Sequence, residues 1–209
     1  MATPEPGDAV IAEAAGTDGS GPRGTILNAA MHLFGKQGFT GTSMRDIGNA
    51  VGVLPGSLYA HIASKDALLV AIVADGIRRF LAAVEPHADA SDDPVARLRR
   101  MIVAHLEVVA DNPERSLVVF HQWRFLGPEN LPGAIEQRRE YERMFVKVVE
   151  DGVRQGRLRS DLNRRVVVLT MLGALNWTPE WFSTGGRLSP AEVGELMADT
   201  LLGGILAEV

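Results

Sequence analysis

From Pro22 onward the chain repeats one kind of signal: apolar residues at helical spacing, cut into segments by cap residues, prolines and glycines. Ile26, Leu27, Ala30, Leu33 and Phe34 share one face of a helix from about Arg23 to Gln37, and Gly38 stops it. Ser43, with Asp46 three residues on, has the pattern of a capping box and opens a short second helix that carries Ile47 and Val51 inward and ends at Gly52. The turn Gly52-Val53-Leu54 leads to Pro55 at a first-turn position, where a missing N–H costs nothing, and a third helix covers Gly56 to His61. Ser64 caps a long fourth helix through Leu68, Leu69, Ile72, Ile77 and Phe80. Asp93-Pro94 then opens a fifth helix to about Val109, Asn112-Pro113 a sixth to about Leu126, and Pro132 a seventh to near Gly156. An eighth runs from about Leu162 through Trp181, kinked in its last turn by Pro179, and Ser189-Pro190-Ala191-Glu192 opens a ninth that reaches the C-terminus. No segment alternates as a strand would, and no internal repeat is visible. The pattern predicts an all-α fold of about nine helices, a small three-helix head on a larger helical body.

Composition narrows what such a chain can be. With 209 residues, 46% of them apolar, it can bury one substantial core or a small domain fused to a larger one. There is no cysteine, so disulfides and thiolate metal sites are excluded, which suits a reducing cytoplasm. The richest apolar stretch, Val166 to Leu175, is broken by Thr170 and Gly173 and falls short of the roughly 20 residues of a membrane span. Residues 1–21 are rich in Ala, Gly and Pro, hold four acids and no aromatic residue, and read as a disordered arm. The first twenty residues lack Lys and Arg, so the basic start of a secretory signal is missing. Net charge is −5, yet between Pro22 and Leu68 the balance is +2, from Arg23, Lys36, Arg45 and Lys65 against Asp46 and Asp66. Affinity for phosphate follows where charge sits more than its sum.

Residues 43–65, SMRDIGNAVGVLPGSLYAHIASK, are the most informative. Two short helices joined by a tight Gly-containing turn form the layout in which the second helix enters a DNA major groove. This stretch resembles the DNA-binding domain of the TetR family at Thr42 or Ser43, Ile47, Gly52-Val53, Gly56-Ser57-Leu58-Tyr59, His61, Ser64-Lys65 and Leu68-Leu69, with unbroken spacing. The resemblance implies a head over 22–68, a body over 69–209 and double-stranded operator DNA as partner. It implies that Arg45 reaches a base edge, that Ser57, Tyr59, His61 and Lys65 contact phosphate, and that Ala60 faces bases. Thr42, Ser43, Pro55 and Gly56 complete the candidate set. The chain departs from the family's habit at Leu54-Pro55, where a polar or basic residue is common, and at Ile62, commonly aromatic.

Aromatic and cationic residues also gather in the body: Phe120, His121, Trp123, Arg124 and Phe125 on the sixth helix, Arg138, Tyr141 and Phe145 on the seventh, Trp177 and Trp181 on the eighth. Aromatic walls with a few polar groups describe a ligand site and equally an ordinary helical core. The stretches QWRFL at 122–126 and ALNWTPEWFSTGGRLSPAEV at 174–193 resemble TetR-family regulators of fatty-acid and steroid breakdown that respond to acyl-CoA thioesters. That resemblance implies a small apolar effector, an acyl-CoA among the candidates, with Arg124 or Arg138 meeting the thioester or phosphates. Many relatives carry a basic residue near the Glu180 position and Tyr at Phe182. A regulator of drug efflux, sensing a hydrophobic drug or antibiotic, is the alternative.

Val166, Val167, Leu169, Leu172 and Leu175, with Leu196, Leu201, Ile205 and Leu206, make the last two helices more apolar than a solvated pair, while Gly173, Gly203 and Gly204 permit close approach. These helices are the candidate homodimer interface, as two reading heads about 34–36 Å apart require two-fold symmetry. The fourth helix joins head to body, so an effector that moves it would release DNA; a coupling of about 1–3 kcal/mol corresponds to roughly 5- to 150-fold. The five histidines show no paired metal-ligand spacing, and no G-x-S-x-G or phosphate-cradling loop occurs, which argues against an enzyme, a resident metal or a cofactor.

Overall fold

The structure is a computed structural model that describes residues 21–207. Nine α-helices occur among the described residues: α1 Pro22–Gln37, α2 Met44–Val51, α3 Pro55–Leu58, α4 Lys65–Ala88, α5 Pro94–Asp111, α6 Pro113–Leu117, α7 Leu131–Arg154, α8 Arg164–Asn176 and α9 Pro190–Gly203. The all-α expectation holds. The one extended pairing among the described residues is an isolated antiparallel bridge between Leu158 and Leu206, flanked by Arg159 N–H to Ile205 O and Ala207 N–H to Arg157 O. The arm expected over 1–21 lies outside the described residues, except for Gly21, whose carbonyl accepts the Thr25 N–H.

Caps set the helix starts as local chemistry requires. The first N–H groups of a helix lack intrahelical partners. Ser43 and Asp46 satisfy them reciprocally at α2, and Ser189 and Glu192 do the same at α9. Asp93 accepts from Ala96 N–H at α5 and Asn163 from Val166 N–H at α8. Prolines open α1, α3, α5 and α9.

Four elements differ from the sequence pattern, the ninth helix in ending at Gly203, after which Leu206 enters the extended bridge with Leu158. The expected sixth helix to Leu126 is α-helical only over Pro113–Leu117, then widens into a π turn, Val118–Gln122, and tightens into a 3₁₀ turn, Trp123–Phe125. Widening brings the consecutive residues Val118, Val119 and Phe120 all into the core, which one stripe of a regular helix cannot do. The eighth helix ends at Asn176 rather than Trp181. There the Pro179 ring excludes a regular bond to the Leu175 carbonyl, which accepts the Thr178 hydroxyl instead, and a 3₁₀ turn follows over Thr178–Glu180. The third helix is one turn, ending at Leu58.

The chain divides into two compact units. One takes the chain up to Arg78 together with Glu114–Glu136; the other takes Arg79–Pro113 and Gln137–Val209. In the first, Phe34, Ile47, Leu58, Leu68, Leu69 and Val118 are fully buried. In the second, Leu98, Met101, Ile102 and Leu106 of α5 are buried, as are Phe145 and Val148 of α7, Met171 and Leu175 of α8, and Ala198 and Leu202 of α9. Gly194 lets α9 lie against α5: a Cβ there would sit 2.9 Å from Val103 Cα. Arg97, also buried, bonds Asp151 at 2.9 Å and the Ala88 carbonyl at the end of α4.

Candidate functional site

The head has a buried apolar base and an exposed outer face. Ile47 and Leu58, from α2 and α3, are completely buried. The turn between these helices starts at Gly52 in the left-handed region (φ 73°), which a side chain rarely adopts, and is closed by Val53 N–H to Gly48 O. Outward face Ser43, Arg45, Gly56, Ser57, Tyr59, Ala60 and His61, all exposed. An exposed tyrosine ring, 57% accessible, has no packing reason to be there and is free to meet a ligand. Pro55 supplies the first residue of α3.

Three of the expected DNA-contacting residues have internal side-chain partners, Ser43 through its capping box with Asp46. Thr42 is buried, and its hydroxyl donates to Gly38 O and accepts from Gln37 Nε2. Lys65 Nζ donates to Phe39 O at 2.8 Å and Thr42 O at 2.9 Å, and stands 4.1 Å from the Phe39 ring centroid. The loop 38–43, which delivers the chain into α2, is therefore held from below by α4. Phe39 packs edge-on against Phe34 and stacks on Phe125, and its N–H donates to Gln122 Oε1 at 3.0 Å. Sequence reading placed Phe125 in the aromatic cluster of the sixth helix and Gln122 in the QWRFL stretch but connected neither with Phe39; the contact spans more than eighty residues, and no local spacing signals it.

The candidate effector residues fall in both units. Phe120, His121, Trp123 and Arg124 ride on the π and 3₁₀ turns of the first unit; Phe120 is buried and Arg124 is exposed, 5.8 Å from the Trp123 ring. Arg138, Tyr141 and Phe145 lie on α7 in the second unit, and the last two belong to its core. There His105 Nδ1 is 2.9 Å from the Tyr141 hydroxyl, with Phe80 4.8 Å from the His105 ring and Phe145 5.4 Å from that of Tyr141. Burial holds His105 far below the usual histidine range, at about 3, against a smaller opposing effect of a Leu175 backbone hydrogen bond. Burial likewise pushes the Tyr141 hydroxyl upward. Trp177 and Trp181 are more than half exposed. Trp181 walls an open depression of about 530 Å³ with Phe182, Ser183, Gly186, Arg187, Leu188 and Val193.

Residues 26–72 match the family described as bacterial regulatory proteins, tetR family, and residues 91–205 match the tetracyclin repressor-like C-terminal domain. The chain belongs to the TetR family. The family and its relatives are transcriptional regulators, not enzymes. Regulators of this family bind operator DNA and dimerise. Among relatives, this TetR-family chain is 28% identical over 187 residues to the HTH-type transcriptional repressor KstR2 of Mycobacterium tuberculosis, covering 89% of this chain and 94% of that one. The structure of the ketosteroid transcriptional regulator KstR2 of M. tuberculosis superposes with a TM-score of 0.84 at 26% identity, over 90% of this chain and 97% of that one. AibR in complex with isovaleryl coenzyme A and operator DNA superposes at 0.75 with 26% identity, over 90% and 99%. Among the described residues no helix is long and apolar enough to cross a membrane, and no three His, Asp or Glu side chains gather as metal ligands would.

Proposed function

We propose that this protein is a ligand-responsive repressor, held on operator DNA through residues 22–68 and released by a small apolar effector of the acyl-CoA thioester class bound by residues 69–209. Whole-chain likeness to a regulator solved with both isovaleryl coenzyme A and operator DNA carries this reading. Exposure supports the assignment of Arg45 to a base edge, of Ser57, Tyr59 and His61 to phosphates, and of Ala60 to the base face. Ser43, Pro55 and Gly56 bring backbone to the duplex. Thr42 and Lys65 act from behind, shaping the loop that delivers α2. A bidentate arginine–guanine pair at Arg45 is worth about 1–3 kcal/mol of discrimination.

The effector end draws on Trp177, Trp181 and the depression beside Trp181, with Phe120, His121, Trp123, Arg124, Arg138, Tyr141 and Phe145 as the remaining candidates. For the homodimer, Val166, Leu169 and Gly173 of α8 and Trp177 at its C-terminal cap form an exposed stripe at spacings of three and four, joined by exposed Leu196 on α9 and Leu206 beyond it. A Cβ on Gly173, Gly203 or Gly204 would meet nothing within 4 Å, so a partner helix can come close there. Leu172, Leu175 and Ile205, by contrast, are buried within the protomer.

Calorimetric titration with an acyl-CoA panel, competed by a cationic dye, tests the effector class. Saturable acyl-CoA binding supports the reading. Dye binding without acyl-CoA binding would transfer the protein to the drug-sensing regulators, a choice that the exposed carboxylate of Glu180 favours.

A further inference from the structure

Within the first unit, the run from Glu114 of α6 through the π and 3₁₀ turns to Phe125 touches α1, the 38–43 loop and α4. At its start, Glu114 Oε1 lies 2.6 Å from His32 Nδ1 of α1, and the Glu114 carbonyl packs where a Cβ on Gly35 would be 3.1 Å away. Arg115 faces Asp75 of α4 at 3.7 Å. Val119 fills the space over Gly76, where any Cβ would overlap it. At its end, Gln122 Oε1 accepts the Phe39 N–H and the Phe125 ring stacks on Phe39 with centroids 6.0 Å apart. The π turn makes this last contact possible. A π turn advances each residue by less rotation than an α turn, so everything after Val118 is turned relative to a regular continuation.

Phe39 is the residue on which these forces converge. Its N–H goes to Gln122, its carbonyl accepts from Lys65 Nζ and from Thr42 N–H, and its ring is clasped by Phe34, Phe125 and the Lys65 cation. Four residues later Ser43 caps α2 with its capping box. A backbone held at Phe39 fixes where that cap, and with it Arg45, is presented.

We propose that Gln122 and Phe125 are positioning residues for operator binding: they fix the 38–43 loop, and so couple the turn bearing Phe120, His121, Trp123 and Arg124 to the reading head. The proposal rests on the DNA-binding reading above. The side-chain amide oxygen of Gln122 is its sharpest element, because a carboxylate can replace it as an acceptor and a leucine of similar size cannot.

The test compares wild type, Gln122→Leu, Gln122→Glu and Phe125→Ala as full chains. Operator affinity is measured at one salt concentration on DNA from upstream of the gene, and amide hydrogen exchange is followed across residues 39–46. One lost backbone hydrogen bond predicts operator binding weakened roughly three- to tenfold in Gln122→Leu. Phe39 amide exchange should be about tenfold faster, with α5 and α9 amides unchanged. Gln122→Glu should restore both to within about twofold, and Phe125→Ala should weaken binding in the same direction. Equal behaviour of the Leu and Glu variants, or an unchanged Phe39 amide in Gln122→Leu, overturns the positioning role. A wild-type protein that binds no upstream DNA removes the proposed function instead, and the exchange comparison then decides the role of Gln122 without reference to an operator.

Discussion

The Lys65 ammonium is tied to Phe39: it stands 4.1 Å from the ring centroid and donates to the Phe39 carbonyl at 2.8 Å, with a second bond to Thr42 O. Two charge-assisted bonds to backbone carbonyls are worth on the order of 2 kcal/mol together in a half-exposed setting. Lys65→Met should therefore weaken operator binding about tenfold. A cation spent on the protein's own backbone releases no counterion from DNA, so the dependence of log K on log salt should keep its slope. A slope reduced by about one would show instead that Lys65 meets a phosphate.

Acid sensitivity should come from the buried histidine. His105, held at about 3 in the folded chain, returns toward 6.5 on unfolding, so the unfolded state binds the extra proton between those values. Stability is complete above the unfolded value and falls as pH drops below it, by about 1.4 kcal/mol per pH unit for this single group. Chemical denaturation between pH 7 and pH 4 should give a steeper loss for wild type than for His105→Gln. Parallel slopes would remove His105 from the account.

Close approach of α9 to α5 depends on Gly194. A leucine there would drive its Cβ onto Val103 Cα, 2.9 Å away, and backbone cannot yield as a side-chain tip can. Gly194→Leu should destabilise the fold by on the order of 2 kcal/mol in denaturant titration, and an unchanged midpoint would remove Gly194 from the α5–α9 contact.

The α8 stripe gives a dimer test. Leu169 is 48% exposed in the protomer, and an arginine there would be buried unpaired if α8 meets its two-fold mate. Such a charge costs on the order of 3 kcal/mol, so sedimentation of Leu169→Arg should show monomer where wild type shows dimer. An unchanged dimer would move the interface elsewhere.

What could be read from sequence was local. Ser43 with Asp46 and Ser189 with Glu192 announce their caps because both partners lie within one turn, and the structure shows both boxes closed. The helix-turn-helix was legible for the same reason. The Lys65 bonds were not: the Phe39 and Thr42 carbonyls lie 26 and 23 residues away, beyond any local spacing. The π turn was hidden because Leu117-Val118-Val119-Phe120 is apolar all round and carries no phase. On α8, Leu169 and Leu172 are equally apolar in sequence; only packing separates the exposed one from the buried one.

The central claim is release of operator DNA by a small effector. Fluorescence anisotropy tests it most directly, on DNA from upstream of the gene, with and without an acyl-CoA panel at one fixed salt concentration. The account predicts tight, specific binding that one acyl-CoA weakens roughly 5- to 150-fold. Binding indifferent to every acyl-CoA, or tightened by one, would contradict it.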